Sequence, residues 1–306
     1  MRLAHCSDLH LLSHDGAGWL KLANKRWIGA ANLMTNRSRH YHVLAFEQMI
    51  EDLNREKIDH VLCTGDVTNL ALRQEFEFAR AMFDKLALGP ENVTVIPGNH
   101  DAYVAEGVGL FAEIFAPYHQ TDAGFEFPES DDPDAKWPIV RIRGELAIIG
   151  LTTSRQTPWF TAYGRLGDTQ LERLKTLLTD PRLANKTRLV AIHHPPAGKA
   201  AANKIRGLRD YKEFAAVLAE AGAELVVHGH EHRDMEEFIA GPQGPIPVRG
   251  IASGTYEHDK PHRTARYRVF EIERGRMTSD HVRVWRRSDS CFTAEPVTTQ
   301  QSNYGT

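Results

Sequence analysis

Cysteine is scarce in this chain, three in 306 residues, and the odd number leaves one without a partner. Cys6 and Cys63 fall inside apolar, strand-like runs, which argues against a disulfide framework and for a reducing cytoplasm as the expected location. Net charge is also nearly absent: 37 basic against 40 acidic residues give a formal −3. That balance speaks against a surface devoted to nucleic acid, so no nucleic-acid partner is expected. No run is apolar for long enough to span a bilayer, and Met1–Ser7 passes into a strand-like run without a signal-peptide core. No internal repeat is visible. What is present is ordinary globular material, 42% hydrophobic and 25% charged, at a length that suits one large α/β domain.

Strand and helix signals alternate. Strand-like runs are Arg2–Ser7, His60–Thr64, Val93–Pro97, Ile139–Leu151, Arg188–His193 and Leu225–His228. Between them, Phe46, Met49, Ile50 and Leu53 share one face at helical spacing, as do Phe76, Ala79, Phe83 and Leu86. Asp168 suits the N-cap of a helix with Leu171, Leu174 and Leu178, and Phe214, Val217 and Leu218 mark another before Gly222. Beyond about residue 235, short alternating runs predict hairpins extending a second sheet. The pattern predicts a layered αββα sandwich: two mixed β-sheets face to face, helices outside, in one domain over 1–296. The acidic loop 129–134 decorates that domain, and 297–306 reads as a flexible tail. Residues 11–40 resist the scheme, with Trp19, Trp27, Leu33 and Met34 interleaved with Lys21, Lys25, Arg26, Arg37 and Arg39. Two readings stand: a helical excursion with solvated basic residues, or a lid facing substrate or a membrane surface.

Chemistry is concentrated in five blocks at the ends of apolar runs: Asp8-Leu9-His10, Gly65-Asp66, Gly98-Asn99-His100-Asp101, His193-His194-Pro195 and Gly229-His230-Glu231-His232. Residues i and i+2 of an extended chain point the same way, so Asp8 with His10, and His230 with His232, can converge on one ion. The Asp66 carboxylate has two oxygens and can bridge two ions; Asn99 offers an amide oxygen, and His193 ends a strand. Such strand ends are where α/β sheets bind ligands. Oxygen and imidazole donors without thiolate suit a pair of divalent ions drawn from Mn, Fe, Zn, Co or Ni, with Mn–Mn or Fe–Mn favoured. Single histidines are most often surface or core residues, and His5, His14, His40, His42, His60, His119, His258, His262 and His281 are assigned so. His228 reads as buried or supporting.

The ordered set resembles the calcineurin-like metallophosphoesterase superfamily, whose signature runs D-x-H, GD, GNH-D/E, H, GH-x-H, and the likeness extends over roughly residues 1–255. The resemblance implies Asp8, His10 and His232 on one metal, Asn99, His193 and His230 on the other, and Asp66 between them. Its H-x-P pattern selects His193 over His194. It implies that His100 lies beside the scissile phosphate, stabilising it or protonating the leaving group, with Asp101 orienting or charging that ring. Metals would make hydroxide available near neutral pH for in-line attack, with no protein nucleophile. A tyrosine ligand of the purple acid phosphatase type is not recognisable.

Within the superfamily, the GNHD and HHPP blocks most resemble a bacterial phosphodiesterase branch acting on cyclic nucleotides or glycerophosphodiesters, so a small-molecule phosphodiester is the expected substrate. Residues 11–40 look somewhat like the lipid-handling insertion of UDP-diacylglucosamine pyrophosphohydrolases, which would add peripheral contact with the inner membrane. A nuclease and a metal-binding scaffold without turnover are the remaining alternatives.

Overall fold

The computed structural model describes residues 1–11, 41–102, 104–128, 136–158, 160–257 and 260–295. The basic, tryptophan-containing insertion, the acidic loop and the terminal tail therefore lie outside the described residues.

In chain order the elements are β1 (Arg2–Cys6), α1 (Val43–Arg55), β2 (His60–Cys63), α2 (Arg73–Phe83), β3 (Val93–Val95), α3 (Ala105–Ile114), β4 (Ile139–Arg143), β5 (Leu146–Gly150), α4 (Asp168–Leu178), β6 (Thr187–Ala191), α5 (Gly198–Ala201), α6 (Tyr211–Ala221), β7 (Leu225–His228), β8 (Met235–Ile239), β9 (Ile246–Gly250), β10 (Arg266–Glu273), β11 (Arg276–Arg286) and β12 (Cys291–Ala294). They form two mixed sheets, ordered β12-β11-β10-β1-β2-β3 and β4-β5-β6-β7-β9-β8. Strands β1, β2 and β3 run parallel in the first sheet, and β5, β6, β7 and β9 in the second.

Period-two alternation decides which residues meet. On β1, β2, β5, β6 and β7, Leu3, Leu62, Leu146, Ile148, Leu189, Ala191, Leu225 and Val227 fill the space between the sheets. Their neighbours Ala4, Cys6, Val61 and Cys63 turn outward under α1 and α2, and Ala147, Ile149, Val190 and Val226 turn toward α4 and α6. Both faces of each sheet are thus covered, the condition for parallel sheets, and the αββα expectation holds. Arg141 of β4 is buried and donates to the carbonyls of Pro90, Glu91, Val93, Pro117 and Gln120, tying the edge of the second sheet to the segments flanking the first.

Several local expectations change. The run Ile139–Leu151 is not one strand: it folds back at Gly144, which holds φ 56°, into the antiparallel pair β4–β5. Asp168 is the first residue of α4, and Gly167 occupies the cap position. Of the late hairpins, β8–β9 extends the second sheet, while β10, β11 and β12 join the first beside β1. Helix α3 had no periodic signal, because Gly107 and Gly109 interrupt its apolar stripe. No described helix is long and apolar enough to cross a membrane.

Candidate metal centre

Each block follows the carboxyl end of a parallel strand: Asp8 and His10 follow β1, Asp66 β2, Asn99 and His100 β3, His193 β6, and His230 and His232 β7. The two sheets bring these ends to one edge. Extended geometry is not what makes the i, i+2 pairs converge, however. Asp8, His10, Asp66, His230 and His232 all have left-handed φ, between 44° and 71°. Non-glycine residues adopt this region at a cost, and such strain concentrates at functional sites. The turns are close-packed: a Cβ on Gly98 would overlap Asp66, and one on Gly229 would overlap Ser7 and Asp8. Glycine is required at both positions by close approach of the chain.

All seven sequence-predicted ligands gather around one point. The Nε2 atom of His232 lies 3.1 Å from Asp8 Oδ1 and 3.3 Å from His10 Nε2. Opposite them, Asn99 Oδ1 lies 3.1 Å from His193 Nε2 and 2.8 Å from His230 Nδ1, and those two nitrogens are 3.3 Å apart. Asp66 Oδ2 sits between the groups, 3.7 Å from His10 Nε2 and 3.6 Å from His193 Nε2. Its other oxygen, Oδ1, accepts the backbone N–H of His100 at 2.7 Å, which fixes the carboxylate plane. Potential ligand atoms of Asp8, His10 and His232, and of Asp66, His193 and His230, lie within 4.8 Å of one another in each set.

The surroundings set protonation and tautomer. His193 Nδ1 donates to the Thr64 carbonyl at 2.7 Å, leaving the Nε2 lone pair directed at the cluster. Burial lowers the pKa of His193 and His230, and nearby His194, His193 and Arg206 lower that of His230 further, so both imidazoles are neutral and able to coordinate. Burial pushes Asp8 up, but His232, His193 and His10 outweigh it and hold the carboxyl well below its usual range. Asp8 Oδ2 also accepts the His230 N–H at 2.9 Å, tying the first strand to the last ligand loop. His194 has both ring nitrogens engaged, Nδ1 on Thr153 Oγ1 at 2.7 Å and Nε2 on the Ala162 carbonyl at 3.0 Å.

His100 stands beside the cluster with its ring edge against His10, centroids 4.7 Å apart, and Nδ1 donates to the Asn69 carbonyl at 2.7 Å. Nε2 is thereby oriented for a ligand. Asp101 binds the backbone of the surrounding loops. Its buried carboxylate accepts the N–H groups of Gly98, Val67 and Thr68 and the Thr68 hydroxyl, fastening the loop that carries Asp66 to the loop that carries His100. Burial raises its pKa to about 6 against the pull of those four donors.

Sequence reading missed several supporting groups. Tyr41 places its hydroxyl 3.1 Å from His232 Nδ1 and sets its ring edge-on to His10. Ser253 and Thr255, in the turn after β9, donate to the carbonyls of Asp8 and Leu9 at 2.6 Å. None of these residues sits in a motif with its own spacing.

The donor set fits a pair of divalent cations. Two carboxylates, one amide oxygen and four imidazoles converge at distances that ions would bridge, with no thiolate among them. A family model described as calcineurin-like phosphoesterase matches residues 1–234. A glycerophosphodiester phosphodiesterase of Enterobacter lignolyticus is 26% identical over 238 residues, which span 76% of this chain and 71% of that protein. Among solved structures, a dimetal phosphatase from Danio rerio superposes with a TM-score of 0.58 at 13% identity, covering 92% of this chain and 94% of that one. A purple acid phosphatase from yellow lupin seeds superposes with a TM-score of 0.59 at 13% identity over 96% of this chain. This chain spans about half of the lupin protein, 52%. The two superpositions show a shared fold.

Proposed function

Because this chain belongs to the calcineurin-like phosphoesterase family, a family of metal-dependent phosphoester hydrolases, we propose that its substrates are small phosphodiesters of the cyclic-nucleotide or glycerophosphodiester type. The observation that carries the reading is the Asp66 carboxylate, with one oxygen 3.6–3.7 Å from an imidazole of each ligand group. That position suits an anion shared by two cations, with Asp8, His10 and His232 on one and Asn99, His193 and His230 on the other. The donors suit Mn, Fe, Zn, Co or Ni, and Mn–Mn or Fe–Mn is the working pair. Divalent ions held there would lower the pKa of a coordinated water and polarise the phosphoryl oxygens.

The protein's own groups do the remainder. Five left-handed ligand residues fix the donors before substrate arrives, and the Asn69 carbonyl aims His100 Nε2 at the site. From there the His100 ring, when protonated at both nitrogens, can donate from Nε2 to a phosphoryl oxygen or to the departing alkoxide. The diester preference is supported by the relative's name. The expected compartment is the cytoplasm.

With manganese, bis(p-nitrophenyl) phosphate and a glycerophosphodiester are hydrolysed faster than p-nitrophenyl phosphate, and His100→Ala loses most of that turnover. Preference for the monoester would overturn the diester reading, and full activity in His100→Ala would overturn the assignment of the site.

A second reading, pyrophosphate hydrolysis at a membrane surface, draws on where the insertion is rooted. Leu11 bonds to the Val67 carbonyl at 3.0 Å and Tyr41 to His232, so the two described residues that flank 12–40 lie beside the ligands. Co-sedimentation with anionic vesicles, lost on deletion of residues 17–36, tests it.

A further inference from the structure

Several arginines near the sheets are paired with a carboxylate; among the described residues Arg206 is not. Arg188 pairs with Glu224, Arg266 with Asp234, Arg268 with Asp280 and Arg283 with Asp52. No carboxylate of the described residues forms an ion pair with Arg206, although the side chain is anchored: its Nη2 donates to the carbonyl of His230 at 3.3 Å. The residue is exposed, and the carbonyl that it holds belongs to a residue of the cluster.

The loop beneath it is built to hold that position. Asn203 Oδ1 accepts the N–H groups of Ile205 and Arg206 at 2.8 and 3.1 Å, and Gly207 N–H closes the turn on the Asn203 carbonyl at 2.8 Å. Ala162 and Gly164 bond to the carbonyls of Ile205 and Gly207 at 2.9 and 3.0 Å, which fastens the loop to the segment after β5. A cation fixed beside a site for two more cations raises the local potential. Such a potential favours an incoming phosphate anion.

We propose that Arg206 is a substrate-binding residue whose guanidinium holds a phosphoryl oxygen of the phosphate ester on the His230 side of the cluster. The proposal rests on the phosphoesterase reading. A guanidinium suits the task because its planar donors match phosphate oxygens and it stays charged.

The test uses the full chain loaded with manganese, comparing wild type with Arg206→Gln and Arg206→Lys. KM for bis(p-nitrophenyl) phosphate rises about tenfold in the Gln variant, the loss expected for one hydrogen bond to a charged group, while kcat changes less. Wild-type KM increases with sodium chloride, the Gln variant loses that dependence, and the Lys variant restores it with only part of the affinity. Manganese stoichiometry is the same in all three. An unchanged KM and salt slope, or loss of manganese from the Gln variant, overturns the assignment. Calorimetry with inorganic phosphate separates the two readings. If wild type hydrolyses no ester, the phosphoesterase reading fails; weaker phosphate binding in Arg206→Gln still supports the anion site, and equal binding sinks it.

Discussion

The two halves of the ligand cluster are built differently. Asn99, His193 and His230 are enclosed, and His193 is locked by a backbone carbonyl from β2's end. Asp8 and His10 are equally buried, but their partner His232 has a side chain 25% exposed and is steadied by a phenol, Tyr41. One half thus has a ring fixed by main chain inside the protein. The other is completed at the surface by a side chain that belongs to no motif. Ligands supported by backbone are set once the fold forms, whereas those supported by side chains can be tuned singly.

The largest effect should come from the residue the halves share. Asp66→Asn removes the charge between them, and turnover falls by about 10³-fold or more, with manganese content dropping below two ions per chain by atomic absorption. Retention of both ions would show that Asp66 does not connect the halves. Next in size is a contrast between histidines. His193→Ala and His232→Ala each lose an ion, but added imidazole restores activity only to His232→Ala, because only that site opens to solvent. Rescue of both would erase the distinction.

Acid should act on the metal-free protein through buried imidazoles outside the ligand set. Burial lowers His5 to about 3 and His228 and His119 to about 4, and holds His60 well below its ordinary value. An unfolded imidazole takes up protons near 6.5, where these folded ones do not, so their stabilisation is complete above that pH and is lost as pH falls toward 4. Glu75 and Asp101, raised by burial to about 7 and 6, act in the opposite sense, their contribution fading as pH rises through those values. The imidazoles are more numerous and more strongly shifted, so the metal-free melting temperature falls between pH 6.5 and 4, a loss of several kcal/mol on the order expected from linkage. A flat profile would contradict this. The smallest effect belongs to Tyr41→Phe: about tenfold weaker binding of one ion of the two, resolved by calorimetric titration. Equal weakening of both would deny that Tyr41 serves the exposed half alone.

Much of the site was legible in sequence because its ligands lie in short blocks, each terminating an apolar strand run. Extended alternation does not aim Asp8 and His10; left-handed turns do, and only the glycines at 65, 98 and 229 hinted at such tight turns. Tyr41, Ser253 and Thr255 act through one or two hydrogen bonds across more than 190 positions of sequence, as Tyr41 does with His232, and one-dimensional spacing holds no trace of that. In the fold, strand alternation revealed both faces of the central strands. It did not assign β10–β12 to the first sheet, since pairing of β10 with β1 joins the two ends of the chain. The β4–β5 turn was hidden because Ile139–Leu151 is apolar on both sides of Gly144.

The account stands or falls on a shared carboxylate. Anomalous scattering at the manganese edge, from crystals grown with the ion, should give two peaks about 3.5–4 Å apart, both adjoining Asp66, one surrounded by Asp8, His10 and His232 and the other by Asn99, His193 and His230. A single peak, or two that Asp66 does not touch, would contradict it.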